Sequence, residues 1–280
     1  MKLKVFYNPK QTAKTSESFS PSAIKPAEVL KSWQEKNFDI EVVDFSPATI
    51  EDLCLAHSRE HVLGVMELTR ANGFGNHSKD IRDSLPYTTG SFVAAALHAA
   101  RTGENAASLT SGFHHANHSN GGGFCTFNGL MVAAIKLHNA GFKKIGIIDL
   151  DAHYGNGTDN IIKELGINYV QHYTFGRHHV TPRNSDEWLQ SLKEIVCNFR
   201  ECDVILFQAG ADPHINDPLG GSLTSDQMRE RDSIVFNTCN ELGIPVAWNL
   251  AGGYQTPLRK VLDIHDATVE ECLLSTKRKA

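Results

Sequence analysis

The chain lacks any pair of cysteines spaced as CxxC, and its six cysteines follow no regular spacing. This absence argues against a zinc ribbon, a thioredoxin-like redox motif and a disulfide framework. No segment near the start of the sequence resembles a signal peptide, so we expect reduced thiols and a cytoplasmic protein. The six residues are Cys54, Cys125, Cys197, Cys202, Cys239 and Cys272.

Long apolar runs are also lacking, since no stretch approaches the roughly 18 apolar residues that a membrane span needs. The chain has fewer basic than acidic residues, with 27 Lys and Arg against 32 Asp and Glu, which gives a net charge of -5. This balance disfavours binding to nucleic acid or to anionic membranes, and we interpret the basic tail at residues 277–279 as a solvated terminus. No GxxxxGK[ST] motif is present, and residues 155–157 lack the third glycine of GxGxxG, which disfavours nucleotide binding.

What is present is a regular alternation of strand-like and helix-like segments over 280 residues, 41% of them hydrophobic. The alternation predicts one α/β domain over residues 1–280, with an open parallel sheet and helices on both faces. Predicted strands cover residues 5–7, 40–43, 107–111, 144–150, 168–173, 203–209 and 245–250. Predicted helices cover 23–36, 47–56, 58–71, 90–101, 128–140, 159–165, 185–200, 224–242 and 257–274. Residues 11–20, which are polar, are predicted as a surface loop.

The segment over residues 144–158 is the most informative part of the sequence. It begins as an apolar run without a polar face, the pattern of a parallel strand buried on both sides. Asp149, Asp151 and His153 then follow at alternate positions, so their side chains emerge on the same side of the strand. Two Asp residues at a strand end can simply form a turn, but His153 and the neighbouring glycines favour a site. Because buried carboxylates repel each other unless a cation lies between them, the segment predicts a divalent metal.

Four of the predicted strands end in loops that carry reactive side chains. In open α/β sheets, ligands bind outside the carboxyl ends of the strands, so we expect these loops to surround one crevice. Each group alone could be surface polarity, a turn or a packed aromatic, and their shared position is what favours a site. The groups are His114 with His115, Asp149 with Asp151 and His153, Asp212, and Tyr254.

These groups fit metal-assisted amide hydrolysis. Three protein ligands with an open coordination position are typical of a catalytic metal, and Asp151, His153 and Asp212 would supply them. Such a metal lowers the pKa of its bound water toward about 7 and polarises a carbonyl. Zn²⁺ is accepted by this ligand set, and Fe²⁺, Co²⁺ or Mn²⁺ suit it too.

The remaining groups supply acid–base chemistry. His114 or His115 would take the proton of the water and return it to a leaving amine. Asp149 and Asn156 could orient the two imidazoles and fix their tautomers. Tyr254 would donate a hydrogen bond to the developing oxyanion.

Five segments, in this order, resemble the histone deacetylase family of metal-dependent lysine deacylases and the related acetylpolyamine amidohydrolases and acetoin-utilisation proteins. The similarity extends over roughly residues 57–254 and implies the arginase/deacetylase parallel sheet. The segments are Gly112-Phe-His-His-Ala116, Gly123-Phe-Cys-Thr-Phe-Asn128, Asp149-Leu-Asp-Ala-His-Tyr-Gly-Asn-Gly-Thr158, Gln208-Ala-Gly-Ala-Asp-Pro213 and Gly252-Gly-Tyr254.

The resemblance implies a role for each matching position. Zinc would be bound by the two aspartates and the histidine already named as ligands. His114 would pair with Asp149, and His115, which the resemblance favours as general base, would pair with Asn156. Asn rather than Asp at position 156 resembles the class II branch and its bacterial relatives.

The resemblance also implies a substrate channel and a substrate class. Tyr254 would be the oxyanion donor, Phe124 one wall of a narrow acyl-lysine channel, and Gly123 and Gly252 its lining. The substrate would be an acylated lysine in a peptide or protein, or an acylated polyamine or other small amide. The patterns set no oligomeric state.

Three departures from the family pattern bear on these expectations. Tyr154 stands where most relatives have a second His. Residues 171–179 lack the usual Ser-x-His and Pro-Gly-Thr-Gly pattern. The resemblance therefore does not extend to the second aromatic wall of the channel or to the monovalent-cation site that this strand completes in the family. Phe175 is a candidate replacement for the wall. The usual His-Pro-Glu signature is replaced by residues 18–22, and the compact chain predicts short rim loops and a more open pocket.

Two rival functions remain from the sequence. An arginase-like hydrolase with two Mn²⁺ ions needs further carboxylates, but Gly155 and His214 occupy the positions where they would stand. A non-catalytic reader of acyl-lysine could keep the fold and the metal. The presence of His114, His115 and Tyr254 argues against a reader, because binding alone requires no acid–base groups.

Overall fold

All described strands belong to one parallel sheet in the computed structural model, which describes residues 2–14 and 18–277. The seven strands lie in the order β2-β1-β3-β7-β6-β4-β5, and every pairing is parallel. The predicted α/β class and each of the seven predicted strands are thereby confirmed. The strands are β1 (Leu3–Phe6), β2 (Ile40–Val43), β3 (Ala106–Ser108), β4 (Ile145–Asp149), β5 (Val170–Thr174), β6 (Val204–Gln208) and β7 (Val246–Asn249).

Helices cover both faces of this sheet, as predicted. On one face, apolar residues of the first, seventh, eighth and ninth helices pack against the strands, and on the other face those of the fourth, fifth and sixth helices do so. The helices are α1 (Lys25–Glu35), α2 (Ile50–Leu53), α3 (Arg59–Met66), α4 (Lys79–Thr102), α5 (Gly129–Asn139), α6 (Asn156–Glu164), α7 (Ser185–Cys197), α8 (Ser225–Leu242) and α9 (Arg259–Lys277). No helix in the described ranges is both long enough and apolar enough to cross a membrane.

Two predictions about local structure are wrong. Helix α4 begins at Lys79 rather than at residue 90, because the Ser78 side chain accepts the N–H of Ile81 and the helix continues through Pro86. The polar segment predicted as a surface loop also contains a buried residue, Gln11, whose side-chain amide donates to the carbonyl of Leu109. Residues 15–17 of that segment, and residues 278 and 279 of the basic tail, lie outside the described residues.

The order of the strands explains why the loops that carry reactive side chains lie close together. Strands β3, β7, β6 and β4 are consecutive neighbours in the middle of the sheet, although they are far apart in the sequence. Their last residues stand side by side, since Ser108 pairs with Asn249, Asn249 with Gln208, and Gln208 with Asp149. The loops that follow these four strands therefore leave the sheet at one edge.

Candidate metal and acyl-transfer site

Asp151, His153 and Asp212 bring their donor atoms together at this edge. One donor atom from each residue lies within 4.8 Å of the others, and no other group of three or more such side chains occurs in residues 2–14 and 18–277. The Nδ1 atom of His153 lies 3.0 Å from Oδ1 of Asp151 and 3.0 Å from Oδ2 of Asp212. The three residues predicted as metal ligands thus form one cluster.

The electrostatics of the cluster call for a cation. Burial and the charge of Asp151 raise the pKa of Asp212 to about 7. Hydrogen bonds with Asp151 and with Asp212 raise the pKa of His153 to about 11. Two buried carboxylates this close together are unfavourable unless a cation lies between them. Two carboxylate oxygens and one imidazole nitrogen fit a divalent metal ion of the zinc type.

Backbone N–H groups hold the carboxylates in place. Gly252 donates to Oδ2 of Asp151 at 2.9 Å, and Ala152 donates to Oδ1 of Asp212 at 3.0 Å. A side chain at position 252 would overlap the Asp212 carboxylate, so only glycine can bring its N–H this close. The predicted lining residue Gly252 is therefore also a support of the metal ligands.

The two adjacent histidines have different partners. Nδ1 of His114 lies 2.6 Å from Oδ2 of Asp149, and Nδ1 of His115 lies 2.7 Å from Oδ1 of Asn156. The other oxygen of Asp149 accepts from the side-chain amide of Gln208 at 3.0 Å. Since the Asn156 oxygen can only accept, the Nδ1 of His115 carries the hydrogen and its Nε2 keeps a free lone pair.

These partners give the two rings opposite charge states. Burial acts to lower the pKa of His114, but the charges of Asp149 and Asp151 outweigh it and raise the pKa to about 9. Burial and the charge of His114 lower the pKa of His115. Near neutral pH, His114 is therefore an imidazolium and His115 a neutral base.

His115 lies beside the ligand cluster in a space that is open because the residue next to its ring, Gly123, has no side chain. Its ring lies 5.8 Å from that of His153, centroid to centroid. Gly123 has a φ of +55°, and a Cβ there would overlap the His115 ring. Gly123 thus sets the space for the histidine that the resemblance favours as base.

Tyr254 stands on a loop held by two charged side chains. The Asp217 carboxylate accepts the backbone N–H of Tyr254 at 2.7 Å. The fully buried ammonium of Lys25 donates to the carbonyls of Ala251, at 2.5 Å, and Gly252, at 3.1 Å. The φ of +50° at Ala251 is unusual for a residue with a side chain, and these bonds stabilise it.

Burial and the charges of Asp212 and Asp151 raise the pKa of the Tyr254 phenol. Its hydroxyl therefore stays protonated over the range in which proteins are stable, and can only act as a donor toward a negative oxygen. Its ring contacts that of Phe124, with the centroids 5.7 Å apart.

A sequence profile described as "Histone deacetylase domain" matches residues 19–185 and 163–271, which together span most of the chain. The chain belongs to the histone deacetylase family. Histone deacetylase 2 of Arabidopsis thaliana is 30% identical over 182 residues, or 56% of this chain and 46% of that protein. The acetoin utilization protein AcuC of Staphylococcus aureus strain MRSA252 is 26% identical over 222 residues, or 64% of this chain and 57% of that protein.

A solved structure gives the same fold. The crystal structure of the HDA15 HD domain matches with a TM-score of 0.79, covering 99% of this chain and 91% of that chain at 19% identity. The predicted deacetylase-type sheet is thereby confirmed. The chain spans about half the length of the curated relatives it matches, with 60%, 46% and 51% of the first three covered.

One expectation drawn from the deacetylase family is wrong here. Phe175 is 2% exposed and packs edge-on against Trp188 in the hydrophobic core, so it cannot form a channel wall. Phe124 instead contacts two other aromatic rings, Phe74 at 5.6 Å and Phe19 at 5.5 Å. Phe19 is 75% exposed and comes from the segment that replaces the family's N-terminal signature.

Tyr154, another departure from the deacetylase pattern, belongs to a cluster outside the metal ligands. Its hydroxyl donates to Oδ2 of Asp159 at 2.6 Å, and the Arg177 guanidinium lies 4.8 Å from its ring centroid. The hydroxyl of Thr174, the last residue of β5, accepts the N–H of Gly155.

Several supporting residues escaped the sequence analysis. Gln208 is the first residue of the family-like segment over residues 208–213, at the end of β6 and beside Asp149. This position could have indicated that it supports the Asp149 carboxylate. Lys25 and Asp217 lie in stretches without a motif. The sequence predicts that a charged residue in such a stretch is exposed to solvent, and only the fold places these two residues in the interior.

Proposed function

We propose that this chain is a metal-dependent amidohydrolase that removes acyl groups from lysine side chains or related amines. The observation that carries the proposal is the pair of adjacent histidines, one bound to a carboxylate and the other to an amide oxygen, beside a buried cluster of three metal-ligand side chains. Binding alone has no use for such a pair, whereas hydrolysis needs both a base and a fixed positive charge. Membership of the histone deacetylase family supports the same reaction class.

Asp151, His153 and Asp212 would hold the metal, for which we propose Zn²⁺, with Fe²⁺, Co²⁺ or Mn²⁺ as alternatives on the same ligands. A bound divalent ion supplies an acidified water molecule and polarises the scissile carbonyl.

The protein's own groups then move protons and stabilise charge. His115 accepts the proton of the attacking water at Nε2, because Asn156 holds the hydrogen on Nδ1, and afterwards delivers it to the leaving amine. The His114 imidazolium, held by Asp149, stabilises negative charge that develops beside it. Tyr254 donates its hydroxyl hydrogen to the carbonyl oxygen as that oxygen becomes an anion.

Aromatic rings near the base suit a substrate with a linear aliphatic stem. The Phe124 ring contacts the rings of Tyr254, Phe19 and Phe74. Methylene groups of a lysine or polyamine pack well on such rings. We therefore propose an acylated lysine peptide or a small acylated amine as substrate.

The first test measures release of free amine from a fluorogenic acetyl-lysine peptide and from an acetylated polyamine, with and without a chelator. Elemental analysis of the same protein sample counts the metal. We expect chelator-sensitive release with about one metal ion per chain, as three ligands and one open position imply. Release from the polyamine alone would select the small-amine substrate. No release from either amide by metal-loaded protein would overturn the proposed function.

A further inference from the structure

Helix α8 carries an arginine and an aspartate that lie completely inside the protein. Arg231 is 0% exposed and Asp232 is 1% exposed. A buried guanidinium is strongly unfavourable unless each of its donors is matched, so its contacts define what it does. Neither residue belongs to the candidate site described above.

The Arg231 guanidinium bridges two backbone segments. Its Nη1 donates to the carbonyl of Gly210 at 2.7 Å and to the carbonyl of Leu150 at 3.1 Å. Leu150 immediately precedes Asp151 after β4, and Gly210 lies two residues before Asp212 after β6. One positively charged group thus binds both segments at the point where they leave the sheet and provide the carboxylate ligands.

The guanidinium is itself held in a fixed orientation. Its Nε donates to Oδ1 of Asp232 at 2.8 Å, and its Nη2 lies 2.7 Å from the same oxygen. The other oxygen of Asp232 accepts from the Thr268 hydroxyl at 2.6 Å, which ties the pair to α9. Arg231, Asp232 and Thr268 therefore form a rigid chain from α9 through α8 to both ligand segments.

The segments that carry Asp151 and Asp212 are packed so closely that the distance between them can change very little. A Cβ on Gly210 would lie 2.8 Å from the Cα of Asp151 and 2.8 Å from Oδ1 of Asp212, so the segments already touch. A metal ion accepts its ligands only within a few tenths of an ångström of its preferred distances. A change in this spacing would therefore weaken metal binding before it unfolded the sheet.

We propose that Arg231, oriented by Asp232 and Thr268, is a positioning residue that sets the distance between Asp151 and Asp212 for the metal. The inference rests on the metal site of the proposed function but not on turnover. Removal of residues that orient metal ligands typically weakens metal affinity by about 10- to 100-fold.

Helix α9, which carries Thr268, also offers a matched control. Asp266 of α9 is 2% exposed and accepts from the Ser32 hydroxyl at 2.9 Å. It also pairs with Lys36 at 3.0 Å and with Arg259. This buried carboxylate ties α9 to α1, and its hydrogen bonds and ion pairs with Ser32, Lys36 and Arg259 do not involve either ligand segment. Asp266→Asn should therefore lower stability without changing the metal site.

The test uses Arg231→Lys and Asp232→Asn beside Asp266→Asn, each in the full chain. Arg231→Lys keeps a positive charge but cannot bind Asp232 and both carbonyls at once. Co²⁺ affinity is measured by competition with a chelating dye, the absorption spectrum of bound Co²⁺ reports its coordination geometry, and thermal unfolding without metal reports stability. We expect a loss of about tenfold or more in Co²⁺ affinity and an altered spectrum for the first two variants only.

Each other outcome decides against the inference. Wild-type affinity and spectrum in folded Arg231→Lys and Asp232→Asn would show that the pair serves stability alone. An equal loss in Asp266→Asn would show a general effect of destabilisation. A wild-type chain that binds no Co²⁺ would also overturn the inference. If Co²⁺ binds as expected while no acylated amine is hydrolysed, the proposed function fails and the positioning role stands.

Discussion

Two neighbouring histidines differ in charge because a single atom differs between their partners. The carboxylate of Asp149 favours a protonated His114, whereas the amide oxygen of Asn156 accepts a hydrogen bond without adding charge to His115. The charge on His114 further lowers the pKa of His115. At the scale of single residues, this difference is the basis on which we propose proton transfer for His115 and charge stabilisation for His114.

His115→Ala tests that assignment. We expect kcat to fall by about 10²- to 10⁴-fold, the usual contribution of a general base, while metal content and fold are kept. Turnover of the acetyl-lysine peptide and elemental analysis of the same sample provide the two readings. His138→Ala is a suitable control, since His138 stacks on Tyr169 away from the ligand cluster. Near-wild-type turnover in His115→Ala would remove this residue from the mechanism.

Residues that support the site were harder to predict than residues that form it. The metal ligands and the histidine pair were found because several reactive side chains recur at strand ends, and that rule depends only on topology. Arg231 and Lys25 gave no such signal. Both are charged residues in helices, where the sequence favours a solvated face, and only the packing of α8, α9 and α1 makes them buried.

At the scale of elements, all seven strands could be predicted because short stretches rich in apolar, β-branched or aromatic residues alternate with helix-like segments. The helix α4 was predicted too short, since Ser, Asp and Pro near its start favour a loop and tertiary packing overrides them. Phe175 is a candidate for the channel wall in the sequence, but it follows β5 in a short 3₁₀ turn and its ring packs into the core against Trp188. Sequence patterns do not show to which side the chain turns after a strand.

We propose that the loop at residues 18–20 forms part of the channel wall, and Phe19→Ala tests this. The exposed Phe19 ring contacts Phe124 edge-on and would cover the substrate stem at the mouth. We expect KM for the acetyl-lysine peptide to rise by roughly 2- to 10-fold with kcat little changed, because an aromatic contact is worth about 0.5–1.5 kcal/mol. Steady-state kinetics separate the two constants.

Ile24→Ala provides the comparison for that experiment. Ile24 is also exposed, at 42%, and lies in the same N-terminal part of the chain without a ring contact to Phe124. It should leave both constants unchanged. An unchanged KM in Phe19→Ala, or a loss confined to kcat, would place Phe19 outside the substrate channel.

At the scale of the whole molecule, a buried histidine outside the candidate site links the fold to pH. His57 is 1% exposed, its Nδ1 donates to the carbonyl of Asn117, and its Nε2 accepts the N–H of Asn128 at 2.8 Å. Both nitrogens are used by the neutral ring, so a second proton has no place without breaking the bond to Asn128. Burial, then the nearby His61, lower the pKa of His57 to about 3, although the bond to the carbonyl of Asn117 acts in the opposite direction.

The consequence is a loss of stability in mild acid. Because the folded pKa lies below the unfolded value of about 6.5, the unfolded chain binds more protons between the two values. The contribution of His57 is therefore fully present above pH 6.5 and falls as the pH drops toward 3. At about 1.4 kcal/mol per pH unit, this amounts to about 2 kcal/mol between pH 6.5 and pH 5.

His57→Gln isolates this effect from other titrating groups. Glutamine can accept the N–H of Asn128 and donate to Asn117, yet it does not titrate. Chemical unfolding of both proteins at pH 7 and at pH 5 should give a smaller loss for the variant, by about 2 kcal/mol. Equal losses in the two proteins would mean that His57 is protonated in the fold at pH 5. That result would contradict the bond from Asn128 to His57. Asn128 caps α5, and its side-chain amide donates to the carbonyl of Ala116, the residue after His115.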